Sequence, residues 1–421
     1  MELDKNSQTL IVKQSILIGL TKLIALSMPM IDLVMLAHWS TVDALSDYSF
    51  ITHLVQIFVV MTLALSIGVP IFFNQSENQK SAIRRCLAYA LVMSVLIVPL
   101  ITVFFYALDW VNHFNQIQTY TYFSLVAGIV TLPTYVVISH VLDAMGQSKK
   151  MIYLTAILSI VNLLINYYYI FIADIQEQLG VAIATSAVRV LGLIIILLWL
   201  LRLFGSSVLI PKFDKKSLLS LMRLGRSDLV TGMAFSGGFA LLSFYLSANY
   251  SSKLVGEFGI LLNIINIVFV FYIGFAAALS IHLSKHPSQK HELLTADWDY
   301  FILKSIAKSF IVGLLVSPIV TLVYFYPMFA DKLVIVGLAI TIAVLDGLAI
   351  ALISRLRVVG YAKYPPLTRL MLILFGIPLG VCLLPHMDIL GVLLAFALAN
   401  GLVALVLILY SRVIFRRLKQ V

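Results

Sequence analysis

The sequence predicts an all-α polytopic membrane protein: twelve transmembrane helices in two pseudo-symmetric six-helix lobes. Three observations lead there. The 421-residue chain is 61% hydrophobic and only 11% charged, with a mean hydropathy of +1.04, more apolar surface than a water-soluble core needs. Its apolar residues fall in runs of about 20, the length a helix needs to cross the hydrocarbon layer. The alternation over about 10 residues that marks a transmembrane β-strand is absent. Finally, the basic residues collect in alternate short loops, as the positive-inside rule requires.

The expected spans are 15–38, 48–73, 86–108, 119–142, 151–173, 179–202, 227–247, 256–281, 302–327, 333–356, 364–384 and 389–411. One set of connections holds Lys5 and Lys13, Lys80 to Arg85, Lys149 and Lys150, Lys212 to Arg226, Lys285 and Lys290, Lys363, and Arg412 to Lys419. The other set holds only Lys253 and Lys332. Both termini are therefore expected in the cytoplasm, in a multi-pass protein of the bacterial inner membrane. The first ten residues are polar and include acids, unlike a cleaved signal peptide. The net charge of +10 is explained by topology, so no nucleic-acid partner is expected. Cys86 and Cys382 lie far apart in apolar segments and predict neither a disulfide framework nor a zinc site.

The longest polar connection, 204–226, divides the chain into an N-terminal lobe, 1–203, and a C-terminal lobe, 227–421. An internal repeat at an offset of 214 residues supports the division. Ala64-Leu-Ser-Ile67 returns as Ala278-Leu-Ser-Ile281, and Gly146-x-x-Lys149 as Gly360-x-x-Lys363. Asn162-x-x-x-Asn166 falls on Gly376-x-x-x-Gly380. Six spans per repeat give both halves the same orientation, which suits alternating access with a substrate near the midplane between them.

Few polar groups lie away from the span ends. Asp32 sits in the apolar stretch SMPMIDLVML, three residues after Pro29, which disturbs the helical ladder. A carboxylate at that depth costs about 2.5–3.5 kcal/mol on insertion scales and faces a cavity or a partner rather than lipid. It is the leading candidate to bind a proton or a coupling cation. Asp346 is a second intramembrane carboxylate, in span ten. Asn162 and Asn166 share one face of span five and supply either packing contacts or carbonyl oxygens for a hard cation. Arg189 is too deep to snorkel easily. It forms a structural ion pair, with Asp32 as one partner to consider, or binds an anionic group. His53, Gln56 and Asn263 are candidates for the substrate cavity, against ordinary helix–helix hydrogen bonding. His140 and Asp143 are expected as a capped helix end in interfacial water.

No HExxH, P-loop or GxSxG motif is present. No enzyme activity, resident cofactor or ATP-driven step is therefore expected, and energy has to come from an ion gradient.

These residues resemble the multidrug and toxic compound extrusion (MATE) transporters of the wider flippase superfamily. The resemblance rests on Pro29-x-x-Asp32-x-x-Met35, on Gly146-Gln-Ser-Lys149 followed by Asn162-x-x-x-Asn166, and on the turn Gly180-Val-Ala-Ile-Ala-Thr185. It continues through Leu224-Gly225 and Asp346-Gly-Leu-Ala, with Arg355-Leu-Arg357-x-x-Gly360 after it. It implies a two-lobed antiporter that exports a small organic solute in exchange for H⁺ or Na⁺. Asp32 then resembles the N-lobe coupling carboxylate, with Asn162, Asn166 and Thr185 as its polar surroundings and Na⁺ held at Asp32, Asn162 and Asn166 if Na⁺ is the coupling ion. Asp346 resembles the C-lobe carboxylate. A monomer is expected.

The chain also departs from the family pattern. Asn166 stands where many relatives have an acid, Met233–Gly237 lacks a glutamate common in span seven, and Val69–Asn74 replaces a polar exit from span two. With Arg189 present, the cavity is less acidic than one built for organic cations, which predicts a zwitterionic or anionic solute, such as a siderophore-like metabolite, rather than a cationic drug. The alternatives are a lipid-linked oligosaccharide flippase of the same superfamily and, from a different class, a membrane-embedded enzyme using Asp32 and His53.

Overall fold

The structure is a computed structural model, and the residues described are 5–173, 175–285, 311, 329–358 and 368–418. Among them the fold is all helix, with no strand. The helices are α1 (Lys5–Trp39), α2 (Val42–Ser66), α3 (Val69–Asn74), α4 (Gln79–Asn112), α5 (Gln116–Ala144), α6 (Ser148–Phe171), α7 (Glu177–Phe204), α8 (Lys215–Asn249), α9 (Ser252–Lys285), α10 (Phe329–Val358) and α11 (Ile377–Leu418). Nine stretches among the described residues are long and apolar enough to cross a membrane. The expected ninth span, 302–327, lies almost wholly outside the described residues, as do Gly360 and Lys363 of the repeat.

Local chemistry sets the helix ends. Thr41 accepts a hydrogen bond from the Ala44 amide at 3.1 Å and starts α2. Asn78 caps α4 through the Ser81 amide at 3.0 Å. Asn115 and Gln118 form a reciprocal capping box that starts α5. Asp214 caps α8 by accepting from the Lys216 and Ser217 amides. Each cap satisfies amides that the first helical turn leaves without partners.

Two expected boundaries differ. The second span was expected to run unbroken over 48–73, but the helix stops at Ser66 and resumes as α3. Pro70 stands at the start of that short helix, where its missing N–H costs nothing. Spans eleven and twelve form one long helical element, α11, preceded by a π-helical turn at Leu372–Gly376 and broken at Asp388, where φ is 49°. The expected loop at 385–388 is thus a sharp kink beside Pro385.

The chain forms two compact units, Ser27–Gly259 in one and Met1–Leu26 with Ile260–Val421 in the other. In the first, α8 packs along α2, and α5 packs against both α2 and α7. The α8–α2 crossing is very close: a Cβ on Gly225 would stand 2.7 Å from the Leu65 carbonyl oxygen. The core of this unit is Ala82, Ile83, Cys86, Tyr89 and Met93 of α4 against Val137, Val141 and Leu142 of α5, with Val188, Ile196 and Leu200 of α7. In the second, Ala349 and Ile353 of α10 pack on Val403 and Leu407 of α11.

Candidate functional site

Four helices of the Ser27–Gly259 unit converge on one carboxylate. Asp32 of α1 is fully buried. Its Oδ1 accepts from the Asn162 amide nitrogen at 2.8 Å and from that of Asn166 at 2.6 Å. Its Oδ2 accepts from the Tyr48 hydroxyl at 2.8 Å and the Thr185 hydroxyl at 2.7 Å. Asn162 and Asn166 lie one turn apart on α6 and are also 0% exposed, while Tyr48 comes from α2 and Thr185 from α7.

The carboxylate has about four lone-pair directions, and four neutral donors fill them. Among the described residues no formal positive charge contacts it. An incoming proton or cation must displace a donor or take its place. The side-chain oxygens of Asn162 and Asn166 have no hydrogen-bond partner. A half-turn of each amide would replace its donor with an oxygen, converting a set that holds an anion into one that can ligate a hard cation beside Asp32.

Arg189 lies one turn after Thr185 on α7. Asp32 and Tyr48 are its electrostatic neighbours, but no ion pair forms with Asp32, so that part of the sequence expectation is not met. The reason is steric occupancy of the carboxylate by its four neutral donors. The Nη1 of Arg189 is buried with no hydrogen-bond partner. Its stem passes Gly128 of α5, where a Cβ would stand 2.9 Å from Arg189 Cδ and 2.8 Å from Ser186 Oγ. Ser186 fastens the same crossing, accepting from the Gly128 amide at 3.1 Å and donating to the Ser124 carbonyl.

The other candidates lie apart from this cluster. His53 is 7% exposed, and its Nδ1 hydrogen-bonds Ser243 Oγ of α8 at 2.7 Å. Its ring meets Phe258 edge-on at 5.9 Å. Gln56 is half-buried on α2. Asn263 belongs to α9, but its side chain lies outside the described residues. His140 and Asp143, expected in interfacial water, are buried at 7% and 2% exposure, because α5 runs its inner end through the packed core. Asp346 of α10 belongs to the second unit, fully buried in an ion pair with Arg369, itself 2% exposed.

Two partners escaped the sequence reading. Tyr48 stands near an expected span end, where tyrosine is ordinary. Arg369 falls a few residues inside the expected start of span eleven, where a basic residue reads as an interfacial anchor. The available signal was that Arg369, like Asp346, needs compensation once buried.

Comparison with known proteins agrees with this architecture. The MatE family model matches residues 18–168, the stretch that carries Asp32, Tyr48, Asn162 and Asn166. The probable multidrug resistance protein NorM of Photorhabdus laumondii is 21% identical over 309 residues, covering 69% of this chain and 67% of that protein. An outward-facing multidrug resistance MATE family transporter of the MOP superfamily matches with a TM-score of 0.79 at 15% identity, over 98% of this chain and 97% of that one. A MOP superfamily transporter from Pyrococcus furiosus, for which reverse polarity of the binding pocket suggests a different function, matches at 0.77 and 15%, again over 98% and 97%. At such identities the structural matches establish the fold, and the family model marks the likeness in sequence over residues 18–168. Those solved structures are of transporters; this chain shares their fold, resembles the MatE family over residues 18–168, and is a multi-pass membrane protein by its apolar helices.

Proposed function

We propose that the protein is an ion-coupled antiporter exporting a small organic solute in exchange for H⁺ or Na⁺, with Asp32 as the coupling carboxylate. The observation that carries this reading is the buried Asp32 with four neutral donors and two adjacent amide oxygens left unpartnered. A protein that only needed a structural polar contact at that depth would have little reason to keep a formal charge there. The curated relative is named a probable multidrug resistance protein, and resistance by removal of a toxic solute supports export as the direction of transport.

In this reading the lobes 1–203 and 227–421, joined by 204–226, alternate access to the two sides. Both termini are cytoplasmic, in a bacterial inner membrane, and the working unit is a monomer. A proton or Na⁺ arriving from outside neutralises Asp32, with Asn162, Asn166 and Thr185 as its immediate surroundings. A differential binding energy of a few kcal/mol between the two states is enough to shift their populations substantially. Asp346 enters the cycle already paired with Arg369. The solute is zwitterionic or anionic, supported by the uncharged Asn166 beside Asp32 and by Arg189; within the Ser27–Gly259 unit, His53 and Gln56 are the polar groups proposed for its route. The test is flux in proteoliposomes under imposed pH or Na⁺ gradients, with an anionic and a cationic cargo in separate experiments. Gradient-driven movement of the anion is expected; movement of lipophilic cations alone contradicts the solute assignment, and no movement of either contradicts antiport.

A further inference from the structure

Among the described residues around Asp32, Arg189 is a cationic side chain left without an opposite charge in contact. It lies twelve residues into the 28-residue α7, so its Cα is about 18 Å along the helix from the first turn. That depth rules out the usual escape of an arginine to the membrane surface. Its Nη1 is buried without a hydrogen-bond partner, and the carboxylate nearest in charge, Asp32, already accepts four hydrogen bonds from neutral groups. A guanidinium at membrane depth with a buried, unpartnered nitrogen is costly to keep. The fold nevertheless makes room for it, since any side chain larger than hydrogen at Gly128 would collide with the Arg189 stem.

We propose that Arg189 is an anion-recognition site that takes a carboxylate or phosphate group of the transported solute, and that neutralising Asp32 strengthens it. The proposal rests on the transporter reading above and deepens it. The planar guanidinium offers donors in a fork that matches both oxyanions. The sign of the coupling follows from Coulomb's law. While Asp32 is charged, it attracts Arg189 and repels an anion placed on it. Once a proton or Na⁺ neutralises Asp32, both effects vanish and the anion binds more tightly. A cationic solute feels the reverse: it gains from a charged Asp32 and loses when the coupling ion binds. By linkage, an anionic group at Arg189 also raises the affinity for the coupling ion. Exchange through this coupling therefore needs a solute with both charges, its cationic group competing with the coupling ion while its anionic group rests on Arg189, so of the zwitterionic and anionic solutes proposed above the site selects the zwitterion.

The experiment measures equilibrium binding to the purified full chain in phosphatidylcholine nanodiscs, without any gradient, so that it is independent of flux. The anionic probes are inorganic phosphate, citrate and fluorescein, and the cationic probe is ethidium. At least one anion is expected to bind wild type. Arg189→Gln should weaken that anion by at least about tenfold, the size of a lost charge-assisted contact, and leave ethidium unchanged or tighter. Arg189→Lys should retain part of the anion affinity, which separates loss of charge from loss of fold, and thermal unfolding checks the fold directly. Asp32→Asn should tighten the anion and weaken ethidium. The proposal is overturned if none of the three anions binds, if Arg189→Gln binds the anion as wild type does, or if Asp32→Asn shifts anion and cation in the same direction. Gradient-driven flux with no role for Arg189 in anion binding would leave the antiporter standing and remove only this site.

Discussion

Asn166 donates to Asp32 Oδ1 at 2.6 Å while its own side-chain oxygen has no partner. The residue thus serves the charged carboxylate with one end and holds a cation ligand in reserve at the other. Asn166→Asp adds a second carboxylate at the same oxygen and should raise affinity for Na⁺ by at least about tenfold, because two charges at contact attract a cation more strongly than one. Isothermal titration calorimetry with Na⁺ in nanodiscs measures it. Unchanged or weaker binding would mean that this amide does not border the cation position.

The α5–α7 crossing should be intolerant of side-chain volume. In Gly128→Ala the new methyl would meet Ser186 Oγ at 2.8 Å and Arg189 Cδ at 2.9 Å. The helices must separate, at a cost of about 1–3 kcal/mol, and Arg189 must move. A lowered melting temperature in detergent is expected. A variant as stable as wild type would show that the crossing is looser than described.

Asp346 and Arg369 should behave as one unit. Both are buried and each is the other's ion-pair partner. Asp346→Leu or Arg369→Leu alone strands a buried charge and should destabilise by about 3–5 kcal/mol. The double variant removes both charges and should recover most of that loss. Thermal unfolding of the three variants completes the cycle, and additive losses in the double variant would show that the two residues are not coupled.

Acid should loosen the start of α8 from its first turn. Hydrogen bonds from the Ser217 hydroxyl, then from the Lys216 and Ser217 amides, with the nearby Arg85 charge, hold the partly exposed Asp214 carboxyl below the usual carboxylate range. A group depressed in the folded state contributes stability above its unfolded pKa and loses it as pH falls through its folded pKa. The cap should therefore be intact at neutral pH and lost only below about 3.9, the ordinary aspartate value. Amide exchange at Lys216 and Ser217, corrected for intrinsic rate, should accelerate in that acid window in wild type. In Asp214→Ala it should already be fast at neutral pH. Equal protection in the two proteins at neutral pH would contradict the capping role.

The first-unit site was legible in the sequence to the extent that its members are polar where the surroundings are apolar. Asp32, Asn162 and Asn166 stand out on that ground, and the structure brings the three within hydrogen-bond distance. Thr185 entered through family resemblance, because a threonine in a membrane helix ordinarily bonds its own backbone. Tyr48 was invisible for a related reason: tyrosine near a span end is what any interfacial helix shows. The helix count came from length and charge placement, which are additive along the chain. The break before α3 and the kink at Asp388 depend on how one or two residues are held, which periodicity does not encode. Arg189 shows the limit most clearly. The sequence offered two anchors for its charge, and the filled hydrogen-bonding shell of Asp32, a property of four other helical residues, explains why that carboxylate makes no direct ion pair with it.

The most direct test of the central claim is counterflow of solute against an imposed H⁺ or Na⁺ gradient in proteoliposomes, comparing wild type with Asp32→Asn. The amide keeps the size of the side chain and removes the charge, so the protein should still fold and insert. Wild-type flux should follow one of the two gradients, and the variant should lose gradient-driven flux altogether. An Asp32→Asn protein that exports at the wild-type rate under the same gradient would contradict that claim.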